Sequence, residues 1–239
     1  MTARILLWDL ETSNLNANFG FIISASYKWL GEDKVHTVRI DKSKGYNKDR
    51  TNDKEIVEHL GEVISQADMM VTHYGKRFDF PYLQTRRMVH GLDPLPPVAH
   101  VDTWWIARYR MKLNSNRLDT LARFLGCAVQ KTAVSGPHWV RAMAGHKDAI
   151  DYVVDHGEKD VLVLEEVYLQ IRPLFENHPN VTLPDGPPGK HLCPRCGSDK
   201  LQKRGWTIAR VARRQRYQCT SCGSWSSGRP VRVEGVEVR

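Results

Sequence analysis

The chain has 239 residues, 41% of them hydrophobic and 26% charged, enough for one α/β domain with a sizeable core and a small appended module. No stretch approaches the roughly 18 consecutive apolar residues of a membrane span, and Met1-Thr2-Ala3-Arg4 shows no cleavable signal pattern, so the expectation is a soluble, cytoplasmic protein without a membrane partner. The formal charge of +8 is uneven: residues 190–239 hold 12 Lys and Arg against 3 Asp and Glu, a net of +9, and residues 1–189 hold 23 against 24, which points to a basic module that meets a polyanion.

Ile5–Leu10 reads as a short strand ending in Asp9-Leu10-Glu11, and Phe21–Leu30 with Val35–Ile40 read as two more, joined across Gly31-Glu32-Asp33-Lys34. Asn52 with Glu55 three residues on predicts a capped helix start, followed by Ile56, Val57, Leu60, Val63 and Ile64 at helical spacing. Next come a buried strand at Asp68–Thr72, a helix at Phe80–His90 stopped by Gly91, and a strand ending at His100–Asp102. The remainder to Glu176 reads as helical: Asn116–Leu125 closed by Gly126, a loop with Gly136-Pro137, and apolar spacing from about Ile150 to Phe175. Pro179, Pro184, Pro187 and Pro188 with Gly186 and Gly189 predict an extended linker at 178–190, between a domain at 1–177 and a module at 191–239.

Asp9 and Glu11 stand two residues apart on a strand, so alternation points both carboxylates to one face. Asp79 opens a helix after the turn Tyr74-Gly75-Lys76-Arg77-Phe78, and Asp160 lies inside the helix His156-Gly157-Glu158-Lys159-Asp160-Val161. Two hard cations about 3.5–4 Å apart can activate a water and stabilise a leaving oxygen, and they require carboxylates converging from separate segments. Taken singly, Asp79 reads as well as a helix cap, and each acid as a solvated surface group. Asp102 at a strand end reads as structural or as a support for the site; Trp29, Trp104, Trp105 and Phe124 read as core, and Cys127 as a small buried hydrophobe.

In this order the motifs resemble the DEDD superfamily of 3′–5′ exonucleases. Asp9 and Glu11 match the first motif, Phe78-Asp79 with Pro81 and Leu83 the second, and Asp160-Val161 followed by Leu164-Glu165-Glu166-Val167-Tyr168 the third. The stretch Asn116–Gly126 followed by Lys131-Thr132 is similar to the corresponding part of family-B polymerase exonuclease domains, and the resemblance covers about residues 4–176. It implies an RNase H-like mixed sheet with flanking helices, two Mg²⁺ or Mn²⁺ ions held by Asp9, Glu11, Asp79 and Asp160, and a Tyr or His before the last Asp that positions the attacking water. The chain departs from the pattern twice. Tyr74 stands where relatives often have Asn, and His156 stands four residues before Asp160, the spacing of the Tyr subgroup. Residues four apart share a helix face, so His156 is the leading candidate over Asp155 and over Tyr152 a further turn away.

Cys193-Pro194-Arg195-Cys196 and Cys219-Thr220-Ser221-Cys222, each followed by a glycine, predict a closed tetrahedral Zn²⁺ site that folds a small ribbon. Lys203, Arg204, Arg210, Arg213, Arg214 and Arg216, with Trp206, Tyr217 and Trp225 among them, read as cations for phosphates and rings for bases, or as rings packing the ribbon's own core. The expected function is a two-metal 3′–5′ exonuclease acting on DNA or RNA, with the ribbon on nucleic acid or on a protein partner. A structure-specific endonuclease or resolvase and a non-catalytic nucleic-acid-binding regulator are the alternatives.

Overall fold

Ile5-Leu6-Leu7-Trp8 is apolar at four successive positions, the pattern of a strand covered on both faces, and all four are buried in β1 (Ile5–Thr12). β2 (Ile22–Trp29) is antiparallel to it and β3 (His36–Arg39) is antiparallel to β2, and β4 (Met69–Thr72) and β5 (Ala99–Asp102) continue the other side of β1 in parallel. The sheet order is β3-β2-β1-β4-β5, so the strand that ends in Asp9 and Glu11 is central. The α-helices among the described residues are, in chain order, α1 (Lys54–Ser65), α2 (Asp79–Val89), α3 (Thr103–Arg110), α4 (Leu118–Leu125), α5 (Gly136–Met143) and α6 (Lys147–Ile171). The result is an RNase H-like mixed α/β sheet with flanking helices.

This computed structural model describes residues 3–129, 134–184, 186, 190–209 and 211–231, divided into a unit Arg4–Ile171 and a second unit that starts at Arg172. The division follows the end of α6 at Ile171, six residues before the expected boundary at 177. The segment read as a linker begins tethered to the C-terminal unit: Val181 N–H donates to the Pro194 carbonyl at 2.9 Å, and Arg195 donates to the Glu176 and His178 carbonyls at 3.1 and 3.4 Å. Burial of His178 and Val181 accompanies these bonds, so the start of the proline-rich segment is held against its own unit. Beyond them β6 (Leu201–Ile208), β7 (Arg213–Cys219) and β8 (Trp225–Val231) form an antiparallel sheet. No helix among the described residues is long and apolar enough to cross a membrane.

Two expectations change in detail. Gly136-Pro137 opens α5 instead of a loop, because proline in a first helical turn forfeits an N–H that has no intrahelical partner there. Helix α1 is capped at Asp53, not Asn52; the Asn52 side chain accepts from Lys54 N–H at 3.1 Å and Glu55 accepts from Lys44 N–H at 2.9 Å, so neither closes the predicted box. The fully buried Asp53 is committed elsewhere. Its oxygens accept from Ile22 N–H (2.8 Å), from Arg86 Nε and Nη2 (2.9 and 2.8 Å), and pair with His90 Nε2 (2.6 Å). Arg86 also donates to the Ala17 carbonyl at 3.1 Å, so one bidentate pair ties α1, the start of β2 and the last turn of α2. Removing one partner of a buried pair strands the other charge, so Asp53→Ala lowers unfolding free energy by about 3–5 kcal/mol in urea denaturation, more than Asp33→Ala at an exposed position.

Candidate active site and metal centres

Helix α6 lies across the sheet through polar anchors along its length. Thr37 Oγ1 donates to Glu158 Oε1 at 2.8 Å, Lys28 pairs with Glu165, and Arg39 Nη2 meets Asp151 Oδ1 at 2.5 Å. At its middle the helix carries Gly157. A Cβ there would stand 3.2 Å from both Glu11 Cγ and Ser26 Oγ, so the absence of a side chain is what lets α6 approach β1 and β2 this closely. That approach delivers the residues on either side of Gly157 to the end of β1.

His156 Nε2 lies 3.8 Å from Glu11 Oε1 and 3.7 Å from Asp160 Oδ2, and ligand atoms of these three buried residues lie within 4.8 Å of one another. Buried Asp79, the first residue of α2, accepts from Leu10 N–H at 3.2 Å, which sets its carboxylate against β1 between Asp9 and Glu11 in sequence. Asp9 lines an open cleft of about 720 Å³ together with His156 and Asp160. Strand, helix start and helix middle thus each supply acid to one region. Buried carboxylates at this spacing oppose one another unless a cation joins them, and an all-oxygen set with one imidazole suits Mg²⁺ or Mn²⁺. The ring of Tyr152, one turn before His156, stacks on His138 of α5 with centroids 4.6 Å apart.

The same cleft is walled by His73, Tyr74, Trp104, Arg117, Leu118 and Trp139. Of these, only Arg117 and Leu118 lie in a stretch that the family resemblance picks out, and Tyr74 enters the sequence reading only as a departure. Tyr74 has φ +66°, a left-handed conformation that a bulky residue adopts at a cost of order 1–3 kcal/mol. Asp102 holds it there. This fully buried carboxylate accepts from Tyr74 N–H (2.9 Å) and Lys76 N–H (3.0 Å), and from Trp104 N–H (3.0 Å) as the cap of α3. Burial pushes its carboxyl above the ordinary range, with the three N–H bonds pulling the other way. Asp102 therefore supports the site, and Trp104 and Trp105, read as core, are only half-buried. Phe124 is exposed, and Cys127 is buried as expected.

In the C-terminal unit the four cysteine sulfurs converge within 4.8 Å, with Cys193 to Cys222 and Cys196 to Cys219 both at 3.7 Å. Tetrahedral zinc with Zn–S of about 2.3 Å requires sulfur edges of about 3.8 Å, so the cage fits Zn²⁺. Lys203, Arg204, Arg213, Arg214 and Arg216 are exposed, and Arg210 lies outside the described residues. Trp206 and Trp225 are also exposed, each beneath a guanidinium: Arg213 at 4.3 Å and Arg216 at 5.7 Å from the ring centroid. Tyr217 is half-buried against His191.

The close approach at Gly157 has a measurable consequence. In an open helix interior Gly→Ala gains about 1 kcal/mol, but here the added methyl must displace Glu11 or Ser26. Gly157→Ala leaves the melting temperature flat or lowered, because the crossing has no room for the methyl. A raised melting temperature would show that α6 has slack at this crossing.

Comparison with known proteins agrees with this fold. A family model, RNase_H_2 of the RNase_H superfamily, matches residues 6–171. A DNA polymerase of Methanocaldococcus jannaschii is 27% identical over 89 residues, which are 28% of this chain and 5% of that protein. The family B DNA polymerase of Pyrobaculum calidifontis superposes on 72% of this chain with a TM-score of 0.55 and 16% identity, over 25% of its own length. The chain thus spans a minor part of either polymerase, and the second likeness is one of fold. The match over residues 6–171 places this chain in the RNase H superfamily.

Proposed function

We propose that the protein is a metal-dependent 3′–5′ exonuclease of the DEDD type that hydrolyses phosphodiester bonds of DNA or RNA, with Asp9, Glu11, Asp79 and Asp160 holding two Mg²⁺ or Mn²⁺ ions. The observation that carries this reading is the meeting of Glu11, His156 and Asp160 within 4.8 Å at a cleft also lined by Asp9, with Asp79 bonded to the backbone of the same strand. Likeness to family B DNA polymerases, over the part of the chain that matches, supports it.

Two divalent ions, when bound, supply charge neutralisation at the phosphate and activation of a water. The chain's own residues do the remainder. Glu11, Asp79 and Asp160, buried and fixed on three elements, hold the acids in place without reorganisation at the moment of reaction. His156, on the turn before Asp160 and facing the same side, orients the attacking water and accepts its proton. Its position beside both carboxylates, with Tyr152 engaged by His138, supports His156 over Tyr152 in that role. Trp139 and the Tyr74–Trp104 wall narrow the access of bulk water to this point. The C-terminal unit is a zinc ribbon closed by its four cysteines, whose exposed Lys203, Arg204, Trp206, Arg213, Arg214 and Arg216 hold nucleic acid through phosphates and bases.

The test is incubation of the protein with 3′- and 5′-labelled strands under Mg²⁺ or Mn²⁺. Stepwise release of mononucleotides from the 3′ end is expected, and cutting of a substrate blocked at both 3′ ends would make the enzyme an endonuclease instead. Asp9→Ala, Glu11→Ala, Asp79→Ala and Asp160→Ala each remove most turnover, and His156→Ala costs roughly 10²-fold or more while Tyr152→Phe stays near wild type. Near-normal turnover in folded Asp9→Ala or Asp79→Ala protein refutes the assignment.

The ribbon has its own measure. Truncation after Ile171 leaves the unit 4–171 and lowers affinity for nucleic acid together with the slope of log Kd against log salt, because each lost phosphate contact removes about 0.7–0.9 from that slope. An unchanged slope would assign the ribbon to a protein partner.

A further inference from the structure

The three strands of the C-terminal unit turn different chemistry to their two faces. Residues directly opposite one another in neighbouring strands share a face of the sheet. Ile208, Arg213 and Val231 stand in register across it, and Trp206 opposite Gln215 and Lys203 opposite Tyr217 continue the same side. Polar groups on that side turn to the chain itself: the Gln215 amide donates to the Gly205 and Arg216 carbonyls at 2.7 and 3.2 Å, and the Arg213 guanidinium lies 4.3 Å from the Trp206 centroid. The other side carries Arg214, Arg216 and Gln218 on the central strand β7, with Thr207 of β6 opposite Arg214 and Ser227 of β8 opposite Arg216.

Arg216 is held in place on this second face. Gly205 has φ +71° at the bulge of β6, and a Cβ there would stand 3.3 Å from Arg216 Nη2, so the bare glycine makes room for the guanidinium. The same guanidinium lies 5.7 Å from the Trp225 centroid, and Arg216, Thr207, Ser227 and Trp225 line a hollow of about 310 Å³. Arg214 and Arg216 are exposed, and Gln218 is half-buried. The three strands contain six Lys and Arg and no Asp or Glu, so the partner that complements them is a polyanion.

Spacing and side-chain type narrow that partner further. Alternate residues of a strand stand about 6.7 Å apart, and base pairs of B-form DNA rise by about 3.4 Å, so Arg214, Arg216 and Gln218 meet every second base pair when β7 runs along a groove. Arginine pairs in bidentate fashion with the guanine edge and glutamine with the adenine edge in the major groove. The outer strands lie about 10 Å apart across β7, which brings Thr207 and Ser227 to the phosphate walls of a groove about 12 Å wide. The major groove of A-form RNA is too deep and narrow to be read in this way.

We infer that this face of the ribbon reads duplex DNA: β7 lies in the major groove with Arg214 and Arg216 on guanines and Gln218 on an adenine at alternate base pairs, and the hydroxyls of Thr207 and Ser227 meet the flanking phosphates. This rests on the reading of the ribbon as a holder of nucleic acid, and deepens it from attraction to phosphates into preference for a sequence in DNA.

The experiment uses the full-length, zinc-loaded protein with Ca²⁺ in place of Mg²⁺ or Mn²⁺, and covalently closed DNA dumbbells with a randomised stem. A dumbbell has no 3′ end, so its binding is read apart from the carboxylate cleft. Selection is expected to enrich guanine, guanine and adenine at positions spaced two base pairs apart. In the selected stem, 7-deazaguanine lacks the N7 acceptor and weakens binding about tenfold, and the same stem in RNA binds at least about tenfold more weakly. Gln218→Ala relaxes the preference at the adenine about tenfold, keeps the guanine preference and retains its zinc, whereas Thr207→Val lowers affinity for every stem alike. Ile208→Ser, on the opposite face at a side chain 87% exposed, changes neither preference nor affinity. Binding without sequence preference, equal affinity for the RNA stem, indifference to 7-deazaguanine, or the same relaxed preference in Ile208→Ser overturns the groove contact. A single-stranded circle bound in place of the dumbbell, and released by the Arg214→Ala/Arg216→Ala protein, also overturns it but keeps the ribbon as a holder of nucleic acid. Failure of the full chain to bind either the dumbbell or the circle removes that holder as well.

Discussion

The site depends on how closely α6 can approach the central strand. Carboxylates that share cations must stand a few ångströms apart, yet those of β1 and α6 come from segments about 150 residues apart in sequence, and only the helix-to-sheet distance brings them together. Gly157 sets that distance from the helix side, and Ser24, Ala25 and Ser26 of β2 keep the facing strand small. The anchors at Thr37–Glu158, Lys28–Glu165 and Arg39–Asp151 then fix the helix along its length. His156 and Asp160 follow by geometry, one on each side of the glycine. Their burial makes the cluster costly as bare charge and therefore selective for a cation, which is the electrostatic core of the functional reading.

A second set of acids keeps the frame in which the first set works. Asp53 neutralises Arg86 inside the protein and secures the far end of α2, whose first residue is Asp79. Asp102 spends its oxygens on the turn that carries Tyr74 and on the start of α3. Neighbouring Thr72 and His100 join the same region: His100 Nε2 bonds Thr72 Oγ1 at 2.8 Å, and burial drives the imidazole down to about 3, so it stays neutral while it does so. The acids that face the cleft are thus distinct from those that hold its frame.

These two sets could not be told apart by local pattern alone. Asp53, Asp79 and Asp102 all sit at helix starts, where local pattern offers each a cap; that Asp102 caps, that Asp53 pairs with an arginine 33 residues on and that Asp79 turns to β1 is decided by tertiary distance. What was legible followed from periodicity and chemistry: the central strand with Asp9 and Glu11, the helix with His156 and Asp160, the αL stop at Gly126, and the two Cys-x-x-Cys turns. Gly136-Pro137 misled because glycine and proline break helices in the interior but are tolerated at a start. Trp104 and Trp105 are only half-buried, although large apolar residues are core by default.

The two units differ sharply in charge. Residues 190–239 carry a net +9, much of it at exposed strand positions, so any attraction they exert on a polyanion comes from counterion release and weakens steeply with salt. Residues 1–189 are close to neutral in sum, and the carboxylates of their cleft repel a polyanion unless cations join them. On the proposed exonuclease reading, the charge that gathers a strand and the acids that hold the cations therefore lie in different units, so the acidic cluster does not have to attract the strand it cuts.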